Sequence, residues 1–180
     1  MNRACDLRAI TLLAVLAAFD ATGAAAQTQT PPQTQTPQRT TATYEDWVVR
    51  CEIRGAVKTC EMAQAMQIQG QAQPITQIAI GQQAKGSPMK IVLEVPINVW
   101  LPAGAKLIVG DKDTGLLIAY SRCLPAACIA DTDVKDEQLK KMRSISENGK
   151  LQFKDAGQQD VVIPVSFKGF DQAFQAMQQP

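Results

Sequence analysis

Two pairs of closely spaced cysteines constrain the fold of this chain more than any other feature. Cys51 precedes Cys60, and Cys123 precedes Cys128, each pair within one short stretch of chain. An even number of cysteines in an oxidising compartment indicates disulfides, and four cysteines allow three pairings. Loop-closure entropy favours the long bridges, worth about 4 kcal/mol each against about 2–3 kcal/mol for the short ones. Thiols that are close in sequence meet before the domain is assembled, so we predict the two local disulfides.

The beginning of the chain has the order of a secretory signal peptide. Two arginines precede an apolar run at residues 9–19, and small residues follow at positions 24–26. The apolar run is about half of the roughly 20 residues that a membrane-spanning helix needs. We therefore predict a signal peptide over residues 1–26, which contains the fifth cysteine, Cys5. The mature chain is then expected in the periplasm, or secreted and associated with the outer surface, with no integral membrane segment.

The next segment, residues 27–43, consists almost entirely of glutamine, threonine, proline and alanine. Such a sequence cannot offset its ordering entropy by burying apolar surface. We predict a disordered spacer that is partly in the polyproline II conformation. Aromatic and β-branched residues return at Tyr44, and residues 44–177 are enough for one domain with a hydrophobic core.

Alternating hydrophobic residues predict a mainly β domain. Residues 47–53 and 57–66 are separated by a turn at Arg54 and Gly55, which indicates a hairpin with Trp47 as a core anchor. Residues 116–120 lead into the turn that carries the second cysteine pair. In residues 160–167, Pro164 cannot donate to a ladder, so it belongs at an edge or a bulge. The other predicted strands are residues 76–80, 88–95, 107–109 and 151–153.

Two segments have helical spacing instead. Residues 134–143 have acidic-before-basic pairs four positions apart, with Asp133 as the predicted cap and Gly149 as the residue past a frayed end. Residues 169–177 predict a short C-terminal helix that closes over the core. The predicted fold is an antiparallel β-sandwich or barrel-like single domain with one mid-chain helix and a short C-terminal helix.

The loop at residues 96–104 is unusually apolar. Two prolines and a glycine exclude a regular strand, yet Trp100 and Leu101 are too hydrophobic for an ordinary loop tip. These two side chains either tuck beneath the loop as core or stay exposed as a contact loop. We favour the core position and keep the contact loop as the alternative.

The composition excludes several kinds of chemistry. The chain contains no histidine, which removes Ser-His-Asp and Cys-His catalytic arrangements and histidine-ligated metal sites. The cysteine spacings suit disulfides better than a zinc site, and Cys123 and Cys128 lack the Cys-x-x-Cys spacing of thiol oxidoreductases. A net charge of +1 leaves no footprint for nucleic acid. We predict no enzyme, no catalytic residues, no cofactor and no metal.

A series of short motifs extends along the domain. They are Asp46-Trp47, Cys51, Cys60, Pro96, Leu101-Pro102-Ala103-Gly104, Arg122-Cys123, Cys128, Ile163-Pro164-Val165-Ser166-Phe167, Gly169-Phe170 and Ala173. Their order and spacing resemble the invasion-associated locus B family over residues 44–177. That family comprises secreted or envelope proteins of Gram-negative bacteria, and some members are linked to entry into host cells, including erythrocytes. The resemblance implies a compact, mainly β domain with two disulfides and brings no catalytic residues.

These observations favour a secreted, non-enzymatic binding protein of the envelope of a Gram-negative bacterium, with a contribution to host-cell interaction or invasion. Its partner would be a protein or another ligand on the envelope or on a host surface. A periplasmic envelope-homeostasis or chaperone-like factor is the main alternative, and a thiol-disulfide oxidoreductase is the third. The discriminating feature of the chaperone-like factor would be exposure of the apolar loop at residues 97–101, whereas the oxidoreductase would require a reactive thiol at Cys123 or Cys128.

Overall fold

Eleven strands and two helices follow one another in the part of the chain that the computed structural model describes, residues 38–67, 75–84, 86–110 and 113–179. The predicted signal peptide and residues 27–37 of the predicted spacer lie outside the described residues. The strands are β1 Gln38–Tyr44, β2 Trp47–Arg54, β3 Val57–Met66, β4 Thr76–Gly81, β5 Lys90–Val95, β6 Ala105–Ile108, β7 Leu116–Ile118, β8 Tyr120–Cys123, β9 Cys128–Asp133, β10 Asn148–Lys154 and β11 Asp160–Ser166. The helices are α1 Asp136–Ser144 and α2 Phe170–Gln178, and a 3-10 turn spans Leu101–Ala103.

The strands form two antiparallel sheets. Seven strands lie in the order β1-β2-β3-β4-β5-β9-β8, and four lie in the order β11-β10-β6-β7. The inward side chains of both sheets and of the two helices belong to one hydrophobic cluster. This arrangement confirms the predicted mainly β, antiparallel domain with a mid-chain helix and a C-terminal helix.

Both predicted local disulfides are present. Cys51 lies directly opposite Cys60 in the β2–β3 hairpin, and the two are bonded. Cys123 lies directly opposite Cys128 in the β8–β9 hairpin and is bonded to it. Each bridge therefore joins strands that a hairpin already brings together, which is why proximity in sequence determines the pairing.

Trp47 is a core anchor, as predicted. Its side chain is fully buried, and its ring meets the Phe170 ring of α2 edge-on with 4.9 Å between centroids. The indole Nε1–H donates a hydrogen bond of 2.9 Å to the Ser166 carbonyl oxygen. The buried Gln64 side chain donates to the same carbonyl and accepts from the Ser166 backbone N–H, each at 3.0 Å. These contacts connect β2 and β3 to the end of β11.

Other local predictions also agree with the structure. The turn after β2 contains Gly55, which has a positive φ of 60°. Pro164 lies on β11, an edge strand of the four-stranded sheet. Helix α2 buries Phe170, Ala173 and Met177 and packs mainly on β2 and β3.

The predicted spacer ends earlier than the sequence indicates, because residues 38–43 belong to strand β1. This strand pairs with β2 without interruption, from Gln38 opposite Ile53 to Tyr44 opposite Trp47. Six of its seven side chains are exposed, so burial contributes little to holding it. The ladder to β2 supplies its backbone hydrogen bonds instead, and composition alone does not reveal such pairing.

The predicted boundaries of the mid-chain helix require correction. Helix α1 begins after Lys135, whose backbone N–H donates to the Gln138 side chain at 2.8 Å. The predicted cap, Asp133, ends β9 and pairs with Lys90 at 3.2 Å. Gly149 does not end the helix but lies buried in β10, where a Cβ atom would collide with the Ile108 carbonyl.

The strand predicted at residues 116–120 is divided between the two sheets. Strand β7 pairs with β6 in the four-stranded sheet, whereas β8 pairs with β9 in the seven-stranded sheet. The chain changes sheets at Ala119, between the two. Residues 116–120 form one continuous apolar run, so the change of sheet within it has no local signal.

Candidate contact surface

The apolar loop between β5 and β6 is held by its backbone rather than by its large side chains. Val99 forms an isolated bridge with Asp155, and the Trp100 backbone N–H donates to the Lys154 carbonyl at 2.9 Å. The 3-10 turn follows, and Gly104 then takes a φ of 65° against the Ile118 carbonyl, where a Cβ atom would be too close. The loop is thus attached to β10 at one point and to β7 at the other.

The large side chains of this loop are exposed. Trp100 retains 40% of its accessible surface, Leu101 retains 51%, and Ile97 is similarly exposed. The favoured core position of Trp100 and Leu101 is therefore wrong, and the alternative of an exposed loop is what the structure shows. Of these loop residues, Val99 packs against the hydrophobic core, whereas Ile97, Trp100 and Leu101 are not part of that cluster.

The exposed loop adjoins the outer face of the four-stranded sheet. One row across that face runs from Val162 through Gln152 and Lys106 to Leu117. The hydrophobic residues at the two ends of the row are both exposed, Val162 at 52% and Leu117 at 61%. A shallow depression of about 140 Å³ lies between the row and the loop. We define the contact face as Trp100, Leu101, Lys106, Leu117, Lys154 and Val162.

The contact face combines exposed hydrophobic residues with positive charge. Lys106, Lys150 and Lys154 occupy outward positions on β6 and β10, and Asp160 is their acidic neighbour on β11. Lys154 binds Asp160 at 2.9 Å, and this hydrogen bond lowers the pKa of the Asp160 carboxyl. Within the contact face, Lys106 and Lys154 stand beside the single carboxylate of Asp160, which gives these three side chains a net charge of +1.

A second concavity, of about 510 Å³, lies on the outer face of the seven-stranded sheet. Small residues such as Ala79 and Gly81 line it together with charged side chains. The charges largely neutralise one another, because Arg39 binds Glu52 at 3.3 Å and Arg50 lies 3.7 Å from Glu61. Hydrogen bonds from Arg54 and then Arg39 lower the pKa of Glu52. The lining of this groove also includes none of the exposed large hydrophobic residues, so the groove offers a partner less apolar surface than the contact face does.

Neither concavity contains a recognisable catalytic arrangement. Among the described residues, no cluster of three or more cysteine, aspartate or glutamate side chains could hold a metal ion. All four cysteines of the domain are in disulfides, and the Cys123–Cys128 bridge joins two strands rather than starting a helix. A helix start would help to stabilise a thiolate, so this position lacks that means of activating Cys123 or Cys128.

Sequence reasoning identified Trp100 and Leu101 but missed the rest of the contact face. Lys106, Leu117 and Val162 come from three different strands and meet only through the register of the four-stranded sheet. None of these positions has a distinctive local pattern.

No helix in the described part of the chain has the length and apolar character needed to cross a membrane.

Comparisons with known proteins agree with this architecture. A family model described as "Invasion associated locus B (IalB) protein" matches residues 47–178. An invasion protein B homolog of Brucella abortus (strain 2308) is 28% identical over 136 residues, which cover 76% of this chain and 78% of that protein. The crystal structure of invasion associated protein B from Bartonella henselae is similar with a TM-score of 0.67 and 20% identity. It covers 77% of this chain and 94% of the Bartonella chain.

Proposed function

This chain belongs to the invasion associated locus B family, and we propose that it is a non-enzymatic binding protein that acts outside the cytoplasm through its contact face. The ligand is a component of the bacterial envelope or of a host-cell surface. The names of the relatives associate those proteins with invasion. The two disulfides fit an oxidising compartment, as does the predicted signal peptide.

The observation that carries this proposal is the exposure of Trp100, Leu101 and Leu117 beside lysines. Exposed hydrophobic side chains rimmed by polar groups are typical of interaction sites. Tryptophan is enriched among the residues that dominate binding energy at interfaces. The lysines add attraction for an acidic ligand and raise the rate of encounter at low salt. The preferred ligand is therefore a surface that presents apolar groups next to negative charge.

The same exposed loop supports a second candidate function, a chaperone-like factor that protects periplasmic clients. Partly unfolded proteins expose apolar segments, and Trp100 and Leu101 could bind these segments as well as a folded surface. The two functions differ in their ligands. A chaperone-like factor suppresses the aggregation of unrelated unfolded proteins, whereas a surface-binding protein saturates on intact cells or isolated envelopes.

The combined change Trp100→Ala and Leu117→Ala is expected to weaken binding to intact host cells or isolated bacterial envelopes at least tenfold. Each substitution removes a large apolar contact from the ligand, and anchor residues of this kind are worth about 2 kcal/mol or more. Because both side chains are substantially exposed, the free energy of unfolding should change by only about 1 kcal/mol or less per site. Binding is measured with labelled protein, and stability by urea denaturation.

Val57→Ala is the matched control for this experiment. Val57 is as exposed as Leu117 but lies at the start of β3, on the other sheet. The control should bind like the unmodified protein. Equal binding by all variants would reject the contact face, and loss of aggregation suppression without loss of cell binding would select the chaperone-like function.

Protease treatment of intact bacteria is expected to cleave this protein while a known periplasmic control stays intact. This result follows if the ligand is on a host cell, because the domain must then be accessible outside the outer membrane. The measurement is immunoblotting after exposure to a protease of broad specificity. Protection until the outer membrane is opened would contradict the host-surface ligand and favour a periplasmic one.

A further inference from the structure

The two sheets have four edge strands, and three of them carry features that oppose pairing with another strand. Strand β11 contains Pro164, which has no N–H to donate. Strand β8 has a register shift between Tyr120 and Arg122 and is only four residues long. Strand β7 has only three residues. Natural sheets use short strands, bulges and prolines in this way to prevent association at their edges.

The fourth edge, β1, has none of these features. It is seven residues long, contains no proline, and keeps an unbroken register with β2. Within the described part of the chain, β2 is its single neighbouring strand. The edge of β1 therefore presents a continuous row of backbone donors and acceptors, which is a template for a further strand.

The register identifies which backbone groups of β1 point outward. Tyr44 and Trp47 flank a two-residue turn, so they form a hydrogen-bonded pair. Because such pairs alternate along an antiparallel ladder, Thr40 and Ala42 also direct their N–H and C=O groups toward β2. Arg39, Thr41 and Thr43 consequently direct theirs away from the sheet.

We propose that β1 pairs with β1 of a second copy of this chain, antiparallel and about a two-fold axis at Thr41. Thr41 then lies opposite Thr41 of the partner subunit, and Arg39 lies opposite Thr43 of the partner subunit. Arg39, Thr41 and Thr43 are the residues whose backbone N–H and C=O groups point away from the sheet. In this register each of these groups has a hydrogen-bond partner on the second copy. Cross-strand threonine pairs are favourable, whereas like charges placed directly opposite are not.

Other registers and another occupant fit less well. An axis at Arg39 would place the two Arg39 side chains directly opposite each other, although each already binds its own Glu52 at 3.3 Å. The N-terminal segment of the same chain, residues 27–37, contains Pro31, Pro32 and Pro37. These prolines lack the N–H groups that a paired strand needs. A second copy, which offers the same proline-free strand, is the better occupant.

A cysteine placed on the axis tests this register in the mature, oxidised chain. In Thr41→Cys the two Cα atoms should be about 5.5 Å apart, within the range that a disulfide spans. In the control, Thr43→Cys, the two cysteines are four positions apart along the strands, about 14 Å, and cannot be bridged. We expect at least tenfold more disulfide-linked dimer from Thr41→Cys on non-reducing gels. Equal cross-linking of both variants would overturn the proposal.

Proline substitutions test the same edge without a covalent bond. Sedimentation should show a dimer of the unmodified chain that dissociates on dilution. Thr41→Pro removes an outward N–H, so it should abolish this dimer while leaving the hydrogen bonds to β2 in place. Thr40→Pro removes an N–H directed toward β2 and should lower the melting temperature. A monomer at all concentrations up to about 0.5 mM, together with absent cross-linking of Thr41→Cys, would reject the second copy as the occupant.

Discussion

Replacing Trp47 by alanine is expected to lower the free energy of unfolding by about 3–5 kcal/mol. The side chain is fully buried and contacts Phe170 of α2 edge-on, so its removal leaves a cavity beneath the C-terminal helix. The substitution also removes the hydrogen bond from Nε1–H to the Ser166 carbonyl oxygen. Urea denaturation followed by circular dichroism measures the change.

The other tryptophan of the chain provides a matched control. Trp100→Ala removes the same number of atoms, but its side chain is partly in solvent and makes no core contact of this kind. We expect its effect on stability to be a small fraction of that of Trp47→Ala. Equal losses from the two substitutions would contradict the assignment of Trp47 to the core and Trp100 to the surface.

Trp47→Phe separates the packing of the ring from its hydrogen bond. Phenylalanine keeps an aromatic ring against Phe170 but cannot donate to Ser166. The Ser166 carbonyl still accepts a hydrogen bond from Gln64 at 3.0 Å, so it does not become an unsatisfied buried group. The loss should therefore be about 1–2 kcal/mol, clearly below that of the alanine variant.

The features that sequence reasoning predicted are local ones. The β2–β3 hairpin, its Cys51–Cys60 bridge and the C-terminal helix each follow from residues that are neighbours in the chain. Trp47 was predictable as a core residue because it begins an alternating hydrophobic strand. In all of these cases the local preference and the final environment agree.

The features that were missed depend on partners that local composition does not reveal, and most of these partners are distant in the sequence. Strand β1 has the composition of a spacer and becomes ordered through its pairing with β2. Trp100 is as hydrophobic as Trp47, yet its position is decided by a backbone hydrogen bond to Lys154 and by a core that other residues fill. The buried Gln64 has two hydrogen bonds to Ser166, which is 102 positions away, and a third to the Asp46 carbonyl. Sequence periodicity does not predict such pairs.

The contact face was likewise only partly predictable from the sequence. Its sequence-visible part is the apolar loop, because hydrophobic residues between two prolines are unusual. Lys106, Leu117 and Val162 are ordinary strand residues until the order β11-β10-β6-β7 places them in one row. The sequence therefore left two interpretations of Trp100 open, a core position and an exposed contact loop. The neighbouring residues that favour a binding surface are identified only from the fold.

Replacing Cys51 and Cys60 together by alanine is expected to lower the free energy of unfolding by about 2–5 kcal/mol. The bridge restricts the unfolded chain, and its removal also vacates sulfur volume beside the core, where Cys51 is buried. The β2–β3 hairpin is enclosed by β1 on one side and β4 on the other. Strands β2 and β3 also carry buried core residues, among them Trp47 and Met62, so opening this hairpin disrupts the core and the loss should appear in global unfolding. Denaturation of the double variant, and of the unmodified protein under reductant, measures it.

The corresponding pair of substitutions at Cys123 and Cys128 is the internal comparison. Its hairpin forms one end of the seven-stranded sheet, and Cys123 is exposed. Edge elements can open locally without global unfolding, so this bridge should contribute less to the measured free energy. A larger loss at the edge hairpin than at the β2–β3 hairpin would contradict this account.

Because a thiol oxidoreductase needs Cys123 or Cys128, unchanged binding by the edge variant would also separate the proposed surface-binding function from redox chemistry.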